Sequence, residues 1–326
     1  MVTGLQVRGA SVHYGGTVAV DRVSLTVAPG EMVALLGASG SGKSSLLRAV
    51  AGLEPLASGT IAWEADDLAG VPVHRRGFGM MFQDGQLFPH LNVAGNVGYG
   101  LFDWDKAERA ARVAELLDIV GLSGLGPRQV TELSGGQAQR VALARSLAPK
   151  PRMLLLDEPL SALDRGLRER LVVMLGEVLR RTNTPALYVT HDQDEAFALA
   201  DRVAVLDQGH LLQLDAPETV WRSPASRAVA EFLGYGPFLT GDVAGTLGVS
   251  VEPGDLVAIG PLGLIPASEG VELSVVSHHV DRGQVEITVR LPGGQEAIVR
   301  APRPPEQALI AVRVAVEGCA MVPAGA

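Results

Sequence analysis

The segment that most constrains the fold is Gly37–Ser44, with the sequence "GASGSGKS". It matches the pattern G-x-x-x-x-G-K-[ST], in which backbone N–H groups surround phosphates and a lysine contacts the β- and γ-phosphates. The apolar run Met32–Leu36 precedes it, and a segment with a helical pattern begins near Lys43. Because a strand, a glycine loop and a helix follow one another, we predict a phosphate loop at the carboxyl end of a strand.

Each residue of this loop has an expected role. Lys43 is expected to reach the β- and γ-phosphates, and the Ser44 hydroxyl is expected to bind Mg²⁺. The other expected nucleotide-binding residues contribute backbone N–H groups and the start of the helix: Gly37, Ala38, Ser39, Gly40, Ser41, Gly42 and Ser45. The alternative is a glycine-rich turn with an incidental lysine, which the complete pattern and its flanks disfavour.

Two further apolar runs end in polar residues that suit phosphate chemistry. "MLLLDE" ends in Asp157 and Glu158, and "ALYVTHD" contains His191. Ligands of open α/β sheets bind at the carboxyl ends of the strands. Asp157 therefore suits a Mg²⁺-associated acid, and Glu158 suits a base that orients a water molecule and accepts its proton. For His191 this position favours a γ-phosphate contact over a structural role, whereas the alternative for both acids is a solvated loop.

A second glycine-rich segment, "TELSGGQAQR", places Ser134, Gly135 and Gly136 at the start of an apparent helix. The start of a helix is suited to binding phosphate, because its N–H groups point outward and carry partial positive charge. The sequence therefore contains two candidate phosphate-binding segments, and it does not by itself explain why one nucleotide would require both.

Strand-like and helix-like segments alternate through the first two thirds of the chain, which predicts a mainly parallel α/β sheet. Helical spacing of apolar residues predicts helices at 105–120, after "LSGG" and at 166–181. The composition changes near Phe232–Phe238, and short β-like runs separated by glycine and proline follow it. We therefore predict an α/β domain at 1–235, with a helical subdomain at about 84–150, and a small all-β domain at 236–326.

Composition narrows the class of protein. The net charge is −9, from 27 basic and 36 acidic residues, which argues against a general nucleic-acid binder. The single Cys319 excludes an intramolecular disulfide framework and fits a reducing compartment. The amino-terminal residues lack the apolar region of a secretion signal, and the longest stretch without charged residues, Gly85–Phe102, is too polar for a membrane span.

In this order, the motifs resemble the nucleotide-binding subunits of ABC transporters. They are "GASGSGKS", Gln83 in "MMFQD", "LSGGQAQR", "LLLDEP", "SALD" and "THD". The resemblance covers roughly residues 4–235, and the most similar members are subunits of importers. It favours ferric iron or thiamine as the transported solute, with sulfate, polyamines or sugars as alternatives. The carboxyl-terminal part is similar to the OB-like (TOBE-like) accessory domain of such subunits.

The resemblance implies roles for individual residues. Tyr14 would stack on adenine, Gln83 would contact Mg²⁺ and the attacking water, and Glu158 would be the catalytic base. His191 would contact the γ-phosphate, and Asp164 in "SALD" would reach the partner subunit. The segment that would contact the γ-phosphate of the partner's ATP contains Ser134, Gly135, Gly136 and Gln137.

The resemblance also implies an assembly. Two copies, or this chain and a close relative, would close head to tail around two Mg·ATP and move polytopic permease subunits. A solute-binding protein would deliver the solute, and this subunit would lie peripherally on the cytoplasmic face of the membrane. "LFPHLNV" (Leu87–Val93) would form the groove for the permease, or else an ordinary subdomain core.

Two other classes of protein share some of these motifs. A soluble ABC ATPase that acts on nucleic acid would carry a long coiled coil, yet only 51 residues separate Gln83 from Ser134 and they show no sustained heptads. A P-loop kinase would lack "LSGGQ". We therefore expect an ATP-hydrolysing importer subunit that uses ATP and Mg²⁺ and binds no nucleic acid.

Overall fold

The computed structural model describes residues 4–83, 85–281, 283–305 and 307–324. The chain divides into two compact units, Met1–Leu214 and Asp215–Ala326. The division precedes the change of composition at Phe232–Phe238, because the helices Pro217–Arg222 and Arg227–Phe232 pack against the last strand of the chain, Cys319–Pro323.

The first unit contains two sheets and six α-helices within the described residues. The strands are β1 (Leu5–Tyr14), β2 (Thr17–Val27), β3 (Met32–Leu36), β4 (Ser58–Trp63), β5 (Asp66–Asp67), β6 (Phe78–Met81), β7 (Met153–Asp157), β8 (Ala186–Thr190), β9 (Arg202–Asp207) and β10 (His210–Asp215). The helices are α1 (Lys43–Ala51), α2 (Val93–Val97), α3 (Lys106–Ile119), α4 (Gly135–Leu147), α5 (Arg165–Thr182) and α6 (Gln193–Leu199).

The larger sheet has the strand order β10-β9-β3-β8-β7-β6. Strand β3 pairs in parallel with β8 and β9, and β7 pairs in parallel with β6 and β8. All residues of β3, β7 and β8 are buried, as is typical of parallel strands whose two faces are both covered. The predicted mainly parallel α/β sheet is confirmed, and the carboxyl ends of β3, β8 and β7 lie side by side.

The smaller sheet has the order β2-β1-β4-β5 and is antiparallel. Before Met32 the sequence predicts short strands and turns, whereas β1 and β2 are 10 and 11 residues long. In β2 the apolar Val23, Leu25 and Val27 alternate with exposed polar residues, so one face joins the core and the other faces solvent.

The predicted helices agree with the structure to within a residue or two. The expected helix at 105–120 is α3, whose start is capped by Asp105, since Oδ1 accepts a hydrogen bond from the Ala107 N–H at 2.8 Å. The expected helix at 166–181 is α5. No helix within the described residues combines the length and the apolar character needed to cross a membrane.

The second unit contains mostly strands. Its elements are α7 (Pro217–Arg222), α8 (Arg227–Phe232), β11 (Phe238–Leu239), α9 (Gly241–Thr246), β12 (Asp255–Ile259), β13 (Leu264–Asp281), β14 (Gln284–Arg290), β15 (Glu296–Ala301), β16 (Leu309–Val314) and β17 (Cys319–Pro323). They form one sheet of order β11-β12-β17 and another of order β15-β14-β13-β16.

Each β-like run of the sequence after residue 250 corresponds to a strand of this unit. Alternate residues of β14 and β15 point inward, where Ile287 and Val299 form part of the core. A turn at Pro292–Gly294 joins these strands, and the Gly294 N–H donates to the Leu291 carbonyl at 3.0 Å. Gly293 and Gly294 have φ angles of 102° and 87°, which glycine adopts without strain. The sequence did not predict α9.

Candidate functional site

The loop between β3 and α1 can be built only with glycine at two positions. Gly42 precedes the first helical residue with a φ of 98°. A Cβ on Gly42 would overlap the Ala19 carbonyl oxygen, and one on Gly37 would overlap the Leu206 carbonyl oxygen. The close approach of the neighbouring backbone therefore explains both glycines. The amino terminus of α1 then faces the centre of the loop.

The Lys43 ammonium is buried inside this loop. Its Nζ donates to the carbonyl oxygens of Gly37 and Ala38 at 2.8 Å each and to the Ser41 hydroxyl at 3.3 Å. Burial lowers the pKa of Lys43, while the carboxylates of Glu158 and Asp157 oppose that shift. The loop is thus curved around a positive charge, which is the electrostatic environment that phosphate oxygens require.

Ser44 and Asp157 bring oxygen atoms together beside the loop. The Ser44 hydroxyl donates to Asp157 Oδ1 at 2.6 Å, and Asp157 Oδ2 lies 3.6 Å from Arg48 Nη2. Hydroxyl and carboxylate oxygens suit Mg²⁺, which takes one or two protein ligands and completes its shell with phosphate oxygens and water. Accordingly, the described residues contain no cluster of three or more His, Cys, Asp or Glu that could hold a metal alone.

Glu158 and His191 meet at the ends of β7 and β8, where His191 Nδ1 lies 3.3 Å from Glu158 Oε2. Glu158 has a φ of 46°, a left-handed conformation that is uncommon for residues other than glycine. Its N–H donates to the Val189 carbonyl at 3.1 Å, and its carbonyl accepts from the Ser161 hydroxyl at 3.0 Å. These bonds hold a strained backbone that aims the carboxylate beside the imidazole.

Three predicted residues lie outside this cluster. Tyr14 ends β1 and is partly exposed, and Gln83 is exposed, with its carbonyl accepting from Gln139 Nε2 at 3.4 Å. Asp164 caps α5 by accepting from the Leu167 N–H at 3.0 Å. The hydrogen bonds and ion pairs of the described residues join none of the three to the phosphate loop.

The second glycine-rich segment forms the start of α4. The Ser134 hydroxyl accepts from the Gln137 N–H at 3.3 Å, and the Gln137 side chain accepts from the Ser134 N–H at 3.0 Å. Ser134 and Gly135 are exposed, whereas Gly136 packs against Leu167. No hydrogen bond of the described part of the chain joins this segment to the phosphate loop, so each segment presents its own surface.

Two residues that the sequence did not single out shape the segment after Gln83. Asn96 is 0% exposed; its amide accepts from the Phe88 N–H at 2.8 Å and donates to the Phe88 and Leu91 carbonyls at 3.0 and 3.2 Å. Arg145 of α4 donates to the Gly85 carbonyl at 2.7 Å, and its guanidinium lies 5.0 Å from the centre of the Phe88 ring. An asparagine within an apolar run was the available signal for the first.

The exposed apolar surface near this segment differs from the expected one. Leu87, Phe88 and Leu91 are half-buried and Val93 is buried. The large exposed apolar side chains are instead those of Tyr99 and Phe102, at 54% and 83% exposure. They follow the predicted segment in sequence, and Tyr99 packs against Phe88 with ring centres 4.3 Å apart.

Comparison with known proteins gives consistent matches. A family model described as "ABC transporter" matches residues 20–161. The Fe(3+) ions import ATP-binding protein FbpC of Streptomyces coelicolor is 50% identical over 288 residues, 84% of this chain and 83% of that protein. The putrescine transport ATP-binding protein PotG of Escherichia coli is 47% identical over 71% of this chain and 62% of that protein.

A solved structure of an ABC transporter component is also similar to this chain. The structure of cbiO1 from Clostridium perfringens, described as part of the ABC transporter complex cbiONQ, is similar with a TM-score of 0.63 and 29% identity. The match covers 68% of this chain and 91% of that one.

Proposed function

The chain belongs to the ATP-binding subunits of ABC transporters, of the importer type, and from this membership we propose that it hydrolyses Mg·ATP as a head-to-tail pair to drive the uptake of ferric iron. The observation that carries the proposal is the convergence of Lys43, Ser44, Asp157, Glu158 and His191 at three adjacent strand ends. The pair acts with membrane permease subunits from the cytoplasmic face of the membrane, where it is held peripherally.

Within one subunit the residues divide the work of phosphoryl transfer. Lys43 exchanges its bonds to the loop carbonyls for bonds to the β- and γ-phosphates. Ser44 and Asp157 would hold Mg²⁺, which would supply positive charge to the phosphate oxygens. Glu158 orients the attacking water and accepts its proton, and His191, 3.3 Å from Glu158, contacts the γ-phosphate.

The second subunit completes each site. Ser134, Gly136 and the amino terminus of α4 contact the γ-phosphate held by the partner, and Asp164 reaches across the interface. In support, Ser134 and Gly135 are exposed and make no hydrogen bond to the phosphate loop of their own chain within its described residues. Tyr14 would stack on adenine, and Gln83 would contact the bound Mg²⁺ and the attacking water.

The first test is Glu158→Gln. This variant keeps the size of the side chain but cannot accept a proton, so it should bind ATP, dimerise stably and hydrolyse ATP about 10² to 10⁴ times more slowly. ATPase rate and ATP-dependent dimerisation by light scattering are the measurements. Glu177→Gln, an exposed glutamate of α5, is the matched control and should behave as wild type. A Glu158→Gln protein that stays monomeric with ATP and keeps normal turnover contradicts the mechanism.

The second test concerns the permease. We propose that Tyr99 and Phe102 form the apolar contact for a membrane subunit, because two exposed aromatic side chains three residues apart in the chain favour protein association. Phe102→Asp should remove the permease from the purified complex while leaving ATP affinity unchanged. Val173→Asp places the same charge at another exposed apolar position, in α5, and is the control. Undiminished recovery of the complex from Phe102→Asp would rule out this contact.

The solute is tested by reconstitution. The FbpC relatives of two Streptomyces species, at 50% and 52% identity, support ferric iron, while PotG at 47% identity supports a polyamine as the alternative. ATPase activity of the reconstituted transporter should rise with a ferric-loaded binding protein. If a putrescine-loaded binding protein stimulated the ATPase instead, the transported solute would be a polyamine.

A further inference from the structure

Arg168, in the first turn of α5, contacts two separate loops of the candidate site. On one side its Nη2 donates to the Leu163 carbonyl at 2.9 Å and to the Ser161 carbonyl at 3.4 Å. On the other side its Nη1 donates to Asp192 Oδ2 at 3.1 Å. One guanidinium therefore fixes both segment 161–164, which ends in Asp164, and the turn that carries His191.

A buried carboxylate supports this guanidinium. Glu195 is 5% exposed, and its Oε1 lies 3.6 Å from Arg168 Nε, whose N–H is buried without a hydrogen bond. Glu195 Oε2 accepts from the Tyr188 hydroxyl at 2.6 Å and from the Thr190 hydroxyl at 2.7 Å. Burial and the nearby Glu195 carboxylate hold the pKa of Tyr188 well above its ordinary value, so the phenol remains a donor.

The network continues to the residues of the reaction. The Thr190 hydroxyl accepts from the Asp192 N–H at 3.0 Å, and these two residues flank His191. The Ser161 hydroxyl donates to the Glu158 carbonyl at 3.0 Å. A displacement of segment 161–164 is thus connected through direct bonds to Glu158 and, through Arg168, to Asp192 beside His191.

The chemistry of the network favours a geometric role over simple stabilisation. Burying a guanidinium and a carboxylate costs desolvation energy, and apolar residues of similar volume often stabilise a fold as well. The planar guanidinium, in contrast, presents several donors at fixed angles and can hold two loops in register. Among the hydrogen bonds and ion pairs of the described residues, none joins the Arg168 guanidinium to the phosphate loop.

We propose that Arg168, oriented by Glu195, is a positioning residue that makes segment 161–164 and the His191 turn move as one unit. The proposal rests on the proposed function and deepens it: closure of the partner against segment 161–164 then aligns Glu158 and His191 at the same moment. Hydrolysis is thereby coupled to pairing, and a lone subunit keeps its nucleotide.

The test is Arg168→Met, which keeps much of the volume and removes the donors. We expect kcat to fall about 100-fold, as for other misplacements of a catalytic group, with KM for ATP changed less than about twofold. Arg168→Lys retains the charge but not the fork, so it should recover part of kcat. Arg181→Met, the same substitution at an exposed residue of α5, is the matched control and should behave as wild type.

Hydrogen exchange measured by mass spectrometry provides a readout besides activity. In Arg168→Met, exchange should accelerate in segments 161–164 and 190–192 together, with β7 and α1 unchanged. Glu195→Gln keeps the size and the acceptor for Tyr188 but loses the charge, and should give the same paired effect if Arg168→Met does not fold. Acceleration in one segment alone, or throughout the chain, overturns the proposal.

The activity outcomes separate the two levels of inference. If wild type and Arg181→Met hydrolyse ATP in a Glu158-dependent manner but Arg168→Met keeps its kcat, the positioning role is wrong and the proposed function stands. If wild type itself hydrolyses no Mg·ATP, the proposed function fails and the positioning role fails with it.

Discussion

Lys43 and Glu158 both occupy states that would be unfavourable elsewhere in the chain. Lys43 is a buried cation whose pKa burial lowers, and Glu158 has a left-handed backbone. Each state is held by surrounding bonds, the loop carbonyls around Lys43 and the bonds to Val189 and Ser161 around Glu158. Such concentrations of strain and desolvation are characteristic of functional sites, where geometry is maintained at some expense of stability.

Tyr235 gives a prediction about pH. Its buried hydroxyl donates to the Trp221 carbonyl at 2.8 Å, and burial raises its pKa to about 12. The unfolded chain releases this proton near pH 10, so the stability that Tyr235 contributes is complete below about pH 10 and is lost as pH rises toward 12. In urea unfolding, Tyr235→Phe should be less stable than wild type by about 1 kcal/mol at pH 8.

The difference between the two proteins should then shrink at pH 11.5. Other tyrosines titrate in both proteins, so their effects cancel in this comparison. A difference that stays constant from pH 8 to pH 11.5 would contradict the assignment of the shift to Tyr235.

The sequence could identify those site residues that belong to a recognisable local motif. The phosphate loop and the polar ends of two further apolar runs indicate Lys43, Ser44, Asp157, Glu158 and His191, which the fold brings together. Their catalytic roles stay predictions. Arg145 and Arg168 could not be identified in this way, because their partners, which include backbone carbonyls for both and two carboxylates for Arg168, come near only after folding. Asn96 left a single signal, an asparagine within an apolar run.

At the scale of elements, continuous apolar runs were the clearest signal, since a strand covered on both faces needs apolar residues throughout. Strands β3, β7 and β8 follow this rule. Strand β2 was underestimated because its exposed face carries polar residues, and strand β1 because polar residues and Gly9 interrupt its apolar residues. Helix α9 has only six residues, too few to show a helical period.

Asn96 gives the prediction for an element. Its side chain makes the hydrogen bonds that shape residues 88–92. An alanine would remove the acceptor of the Phe88 N–H and one donor to each of the Phe88 and Leu91 carbonyls. Asn96→Ala should lower stability by about 1 to 3 kcal/mol. It should also weaken the permease complex, since Phe88 supports Tyr99, while ATP affinity persists.

Asn92→Ala is the control at this element. It removes a neighbouring amide whose side chain only caps α2, by accepting from the Gly95 N–H at 2.7 Å. It should cost about 1 kcal/mol, as other lost caps do, and retain more of the complex. Equal loss of the permease in both variants would show that α2 as a whole, rather than the segment held by Asn96, determines docking.

At the scale of the whole molecule, pairing of two chains would explain why each chain has two glycine-rich segments. Each chain then contributes Lys43 to one site and Ser134 to the other. A Lys43→Ala chain and a Ser134→Arg chain should each be inactive alone, because each homodimer lacks one component of both sites. Their mixture should hydrolyse ATP, because the mixed pair contains one complete site.

A second mixture distinguishes this arrangement from simple stabilisation by a partner. Lys43→Ala and Glu158→Gln both damage the site of their own chain, so their mixed pair contains no complete site and should stay inactive. ATPase rates of the two mixtures, measured at equal total protein, provide the comparison. Equal recovery in both mixtures would rule out the shared site.

The three bonds made by Lys43 also determine how quickly this protein can respond. A loop that is already curved around its own ammonium needs no refolding when a nucleotide arrives, only the replacement of carbonyl oxygens by phosphate oxygens on the same nitrogen. We therefore expect ATP to bind in a single step whose rate is proportional to nucleotide concentration. If the proposed pair forms, we expect the slower steps of the cycle to be pairing and release, so that subunit association rather than nucleotide binding limits the rate of uptake.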